Sequence, residues 1–94
     1  SHAQLDEKKT LRQAQRFFLF EDFNRAAENY KLLADSFPEV FKYNYEIALL
    51  LFYELDKKPL SVPYLNKAIS LMAKDSLPQL YLYLGQAYQA KGRY

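Results

Sequence analysis

The chain contains no cysteine and one histidine, His2. Without cysteine there is no disulfide scaffold and no thiolate zinc site. Two glycines in 94 residues leave no room for a glycine-rich phosphate loop. No apolar run is long enough to cross a bilayer as a helix. Neither sign of charge dominates: 13 Lys and Arg against 11 Asp and Glu give a net charge of +2, too balanced for an electrostatic binder of nucleic acid or membrane. Tryptophan is absent too, yet nine Tyr and seven Phe make the chain 17% aromatic. Half the residues are hydrophobic, enough to build a core, and the length suits one small domain. Ser1-His2-Ala3 reads as the remnant of a cleaved tag, with a single domain over 4–94.

The spacing of apolar residues predicts five helices. The first spans about Leu5 to Phe20, with Leu11, Ala14, Phe17 and Phe18 at helical intervals, and Glu21-Asp22 breaks it. The second spans about Asn24 to Ser36, where Ala26, Tyr30, Leu33 and Phe37 form one face and Pro38 ends the run. The third, about Val40 to Leu55, is apolar nearly all round and should be central. Asp56-Lys57-Lys58-Pro59 makes a polar turn. The fourth begins near Ser61 as N-cap, with Pro63 in its first turn, and runs to about Ala73. Ser76-Leu77-Pro78-Gln79 reads as a capping box opening a fifth helix that ends near Lys91, with Gly92 as a left-handed cap. No stretch alternates with period two, so the fold class is all-α.

The helices recur in pairs. Small residues stand at Ala14, Ala48 and Gly85, 34 and 37 residues apart, each followed three positions later by Phe17, Leu51 or Tyr88. A helix–turn–helix period near 34 residues is the tetratricopeptide spacing. Tyr81-x-x-Leu84-Gly85-x-x-Tyr88, followed by Gly92-Arg93-Tyr94, resembles the first helix and turn of a tetratricopeptide (TPR) repeat. Glu21-Asp22-Phe23-x-x-Ala26-x-x-x-Tyr30 with Pro38 resembles the turn, second helix and final proline of another. The resemblance implies a right-handed solenoid of antiparallel helix pairs: repeat one over 7–40, repeat two over 41–78 and a half repeat over 79–94. Thr10 and Gln13 depart from the family's bulky apolar positions, Asn44 from its aromatic and Ser61 from its alanine. In such a stack each repeat buries its apolar face on the next, and the small residues let paired helices approach. Tyr30, Phe17, Phe37 and Tyr88 read as packing residues.

A shorter likeness joins it. Asn44-Tyr45-Glu46-Ile47-Ala48 and Val62-Pro63-Tyr64-Leu65-Asn66-Lys67-Ala68-Ile69 resemble the TPR segment of certain Gram-negative envelope proteins, where repeats precede a β-propeller and an OmpA-like peptidoglycan-binding domain. That likeness implies a periplasmic or outer-membrane-associated setting and a spacer or oligomerisation role.

The TPR resemblance also implies a concave groove lined by the first helix of each pair, taking a peptide or protein segment. Its register places Lys8, Leu11, Gln15 and Phe18 there from the first helix. The third supplies Lys42, Tyr45, Leu49 and Phe52, and the fifth Gln79, Leu82, Tyr83, Gln86 and Gln89. Apolar and aromatic side chains ringed by amides suit a partner with apolar anchors and backbone groups needing hydrogen bonds. The chaperone-clamping variant of the groove is set aside, because Leu11, Gln15, Glu46, Gln79 and Tyr83 stand where its carboxylate-binding residues belong. No nucleophile, base and orienting group assemble, and Glu46 and Glu54 have no His or Cys to complete a metal set, so neither an enzyme nor a cofactor is expected. The fifth helix is expected to show an unfinished apolar face of Leu80, Tyr81, Leu84 and Tyr88, a route to a homodimer.

Overall fold

The computed structural model describes residues 5–74 and 76–92. The suspected tag remnant and the Arg93-Tyr94 end of the expected half repeat lie outside them. Five helical segments follow one another: α1 (Glu7–Leu19), α2 (Phe23–Ser36), α3 (Phe41–Leu49, continued by a π-helical turn at Leu50–Glu54), α4 (Lys58–Leu71) and α5 (Gln79–Lys91). No strand occurs among the described residues, and successive helices pack as neighbours.

Local chemistry sets the helix ends. The Asp6 carboxylate accepts from the Lys9 amide at 3.1 Å and caps α1, while Asp22 accepts from the Arg25 amide at 3.3 Å and caps α2. Between them, the Asp22 amide donates to the Phe17 carbonyl and the Glu21 amide to the Phe18 carbonyl. That pattern closes a helix through a left-handed residue, here Glu21 at φ 59°. Asp56 at φ 50° plays the same part after α3. The two left-handed residues among those described are therefore acids at the two breaks where charge interrupts the apolar pattern, and Gly92 is right-handed at φ −68° rather than a left-handed cap.

Proline moves the other two starts. Pro59 sits in the first turn of α4, where a missing N–H does no harm, so the helix begins at Lys58. Ser61 is consequently buried inside it, its hydroxyl donating to the Lys58 carbonyl at 2.6 Å, and is no N-cap. Pro63 falls within the helix rather than in its first turn. Pro78 precedes α5 and no side chain caps it, so the expected capping box at Ser76 does not form. Instead the Leu80 and Tyr81 amides donate to Leu77 and Pro78 carbonyls.

Two apolar clusters share α3. Ala14, Ala26, Tyr30, Leu33, Ile47, Leu50 and Leu51 form one with α1 and α2; Ala48, Phe52, Val62, Leu65, Ala68, Leu80 and Ala87 form the other with α4 and α5. Each fully buried Leu or Ile contributes roughly 1.5–3 kcal/mol. A helix that serves both clusters must carry apolar residues on more than one side, as α3 does with Ile47 and Leu50 in one cluster and Ala48 and Phe52 in the other.

The polar departures from the apolar pattern are answered locally. The Thr10 hydroxyl donates to the Asp6 carbonyl, and the buried Asn44 amide donates to both the Pro38 and Val40 carbonyls at 3.0 Å, tying down the α2–α3 turn. Every described buried side-chain nitrogen and oxygen has a partner. Gln13 is simply exposed on the outer side of α1.

Contacts also link alternate helices. The Tyr43 hydroxyl donates to Glu7, joining α3 to α1; the Tyr64 hydroxyl donates to Asp35 at 3.0 Å, joining α4 to α2. Phe52 and Tyr83 rings lie 5.1 Å apart, joining the π-helical turn to α5.

The small residues divide. Ala14 and Ala48 are fully buried between helices. Gly85 is not: it is exposed, and a side-chain carbon built on it would meet nothing within 4 Å. The expectation of a close helix approach there fails within this chain. Tyr88, expected to pack, is 49% exposed with its hydroxyl accepting from Asn66, and Tyr81 is 52% exposed. Leu80, expected on the same open face, is instead fully buried against α4.

Candidate interaction surface

The π-helical turn decides which residues of α3 reach solvent. Its wider winding, marked by the Leu55 amide donating to the Leu50 carbonyl at 2.9 Å, advances each residue by a smaller angle than an α-helix does. Beyond Leu49 the side chains therefore lag behind an α-helical register. Phe52, expected to line the groove, turns inward and is only 2% exposed. Tyr53, which the sequence register omitted, takes the outward position at 53% exposure.

An aromatic group results. The Phe52 ring lies edge-on to Tyr53 at 4.8 Å, and Tyr53 lies edge-on to Tyr83 of α5 at 5.5 Å. The Lys58 ammonium stands 5.0 Å from the centre of the Phe52 ring. Along α3, Phe41 and Tyr45 stack at 5.4 Å. Such pairs contribute about 0.5–1.5 kcal/mol beyond burial and hold one another's orientation. Phe52 is thus the floor, fixed from three sides, and Tyr53 and Tyr83 are the wall above it.

The other expected residues fall into two sets. Lys42 is exposed, while Tyr45 and Leu49 are half-buried on α3. On α5, Tyr83 is half-buried, Leu82 is 60% exposed, and Gln79, Gln86 and Gln89 are exposed. The aromatic contacts bring α3 and α5 together. They do not reach α1: Gln15 is exposed, and Phe18 leans edge-on against Phe23 of α2 at 5.5 Å. Lys8 is exposed, and Leu11 packs against the first cluster.

The titration behaviour fits an uncharged surface. The Tyr53 phenol is held above its ordinary value first by hydrogen bonding with Tyr83, and the Tyr45 phenol by burial, then by Glu46 and Tyr83. Burial also raises the Glu46 carboxyl, with Lys42 opposing. At neutral pH these phenols carry their protons and can donate hydrogen bonds. Among the described residues no three His, Cys, Asp or Glu side chains group to hold a metal, and no helix is long and apolar enough to cross a membrane.

No protein-family model, curated protein or solved structure matches this chain.

Proposed function

We propose that this chain is a TPR-like interaction module that binds an extended or helical segment of another protein across α3 and α5. The reading joins the repeat pattern in the sequence to one observation that carries it: Tyr53 and Tyr83 stand edge-on to one another over a buried Phe52 floor, with Leu82 exposed on the same helix as Tyr83. Rigid aromatic side chains lose little conformational freedom on binding, and their hydroxyls meet backbone groups that a partner must leave satisfied. Gln79, Gln86 and Gln89 supply further donors and acceptors along α5. The module does its work by binding, with no chemical step.

Panning a random peptide library against the chain tests this. Enriched peptides should bind about tenfold more weakly to the Tyr53→Ala/Leu82→Ala variant, as expected when two anchors are truncated. Failure of any sequence to enrich, or equal binding to the variant, contradicts it.

The open side of α5 favours a second reading, an oligomerisation segment. Tyr81 and Tyr88 flank Gly85 there, and among the described residues nothing lies within 4 Å of a side-chain carbon built on Gly85. A second copy laid across this side would form a homodimer. Light scattering across concentration should then show mass doubling that Tyr81→Glu abolishes; a constant monomer mass rejects the reading.

A further inference from the structure

The outer side of α1, away from both apolar clusters, carries a pattern unconnected with the α3–α5 surface. Lys9, Arg12 and Arg16 occupy one stripe at spacings of three and four residues, and all are exposed. Leu19 and Phe20 continue the stripe one turn further at 79% and 73% exposure. Two open troughs, about 440 and 340 Å³, run along this side and share Gln13 and Arg16.

The cations on this stripe make no ion pair among the described residues. Ion pairs among the described residues join Arg25 to Asp22, Lys31 to Asp35 and Lys58 to Asp56, and none involves a cation of α1. From Lys9 to Arg16 the stripe is about 10 Å long. That is the rise between carboxylates seven residues apart on another helix.

We propose that this side of α1 docks an acidic amphipathic helix of a partner protein. Three carboxylates in one stripe would meet Lys9, Arg12 and Arg16, and an apolar residue one turn beyond would sit on Leu19 and Phe20. The layout distinguishes this partner from a lipid surface. A helix lying in a membrane interface carries apolar residues along its whole length with cations flanking them. Here the cations and the apolar pair follow each other along the axis, as a linear ligand requires. A second copy of the chain is unsuited: α4 and α5 contain no acid, and α3 only Glu46 and Glu54. In α2 just Glu28 and Asp35 are acidic, and Asp35 is held by Lys31 and Tyr64.

The probe is a fluorescent alanine-based helix with Glu at i, i+3 and i+7 and a Leu-Phe pair one turn away, made with the pair at either end. Anisotropy titrations of the full chain should show saturable binding by one version. That binding should weaken with added salt. Arg12→Gln/Arg16→Gln and, separately, Leu19→Ser/Phe20→Ser should each weaken it about tenfold, and Tyr53→Ala should leave it unchanged. A Gln-for-Glu helix that binds equally well overturns the proposal, as does absence of binding by both acidic versions. Capture by phosphatidylserine vesicles without binding of either acidic helix reassigns the surface to lipid and overturns it too.

Discussion

Replacing Phe52 and its neighbour Tyr53 separately by alanine should produce very different losses. Phe52 is 2% exposed and lies in the second apolar cluster with Leu65, Leu80 and Ala87. Truncating a buried Phe removes its transfer free energy and leaves a cavity, about 3–5 kcal/mol together. Half-buried Tyr83 can lean into part of that space, so the lower part of the range, about 3–4 kcal/mol, is expected. Tyr53 is half exposed and gives up only its edge contacts with Phe52 and Tyr83, about 1 kcal/mol or less. A chain of 94 residues has roughly 5–14 kcal/mol of stability, so the first variant consumes much of it and the second little. Melting should fall by roughly 12–30 °C for Phe52→Ala. Urea unfolding followed by far-UV circular dichroism measures both, with unchanged m-values as the condition for comparison. Similar losses for the two variants, or a larger loss for Tyr53→Ala, would refute the outward placement of Tyr53 by the π-helical turn.

Three further outcomes follow from the same structure. Gly85→Ala should stabilise the chain by about 0.5–1 kcal/mol in urea unfolding, since the new methyl meets nothing and alanine is the better helix former; destabilisation would mean that a helix covers Gly85. Glu21→Gly should stabilise it by about 0.5–1 kcal/mol by relieving a left-handed non-glycine residue, read from the same melts. Stability should fall as pH rises from about 10 to about 12. Burial raises the Tyr30 and Tyr43 phenols from 10.0 to about 12, with Glu46 adding to the first and the Glu7 hydrogen bond to the second. The unfolded chain thus loses these protons first, so their stabilisation is complete below pH 10 and lost through 12. Tyr43→Phe should flatten that alkaline decline.

The helix breaks were legible because they rest on local chemistry. Glu21-Asp22 interrupts the apolar pattern and then supplies both a left-handed residue and a cap. The central place of α3 was legible from apolar residues nearly all round it, which serve two clusters. The helix starts at Lys58 and Gln79 were misread because Ser61 and Ser76 look like caps, while Pro59 and Pro78 control where the backbone first lacks donors. The exchange of Phe52 for Tyr53 was hidden for a different reason. Nothing in Leu49-Leu50-Leu51-Phe52 separates π from α winding, and the choice comes from tertiary packing on two clusters. Gly85 carried the spacing of a close approach, but that role needs a neighbour and spacing cannot supply one. The outer stripe of α1 is visible as residues, but the net charge of +2 hides its local concentration.

The account depends above all on α3 and α5 presenting one recognition surface. The most direct measurement is an NMR titration of the labelled chain with a peptide enriched by panning, following amide and aromatic shifts. The account predicts saturating shifts at Leu49, Tyr53, Leu82, Tyr83 and Gln86, with the exposed residues of α2 and α4 unmoved. Shifts centred on α2 and α4, with Tyr53 and Tyr83 unchanged, would contradict it.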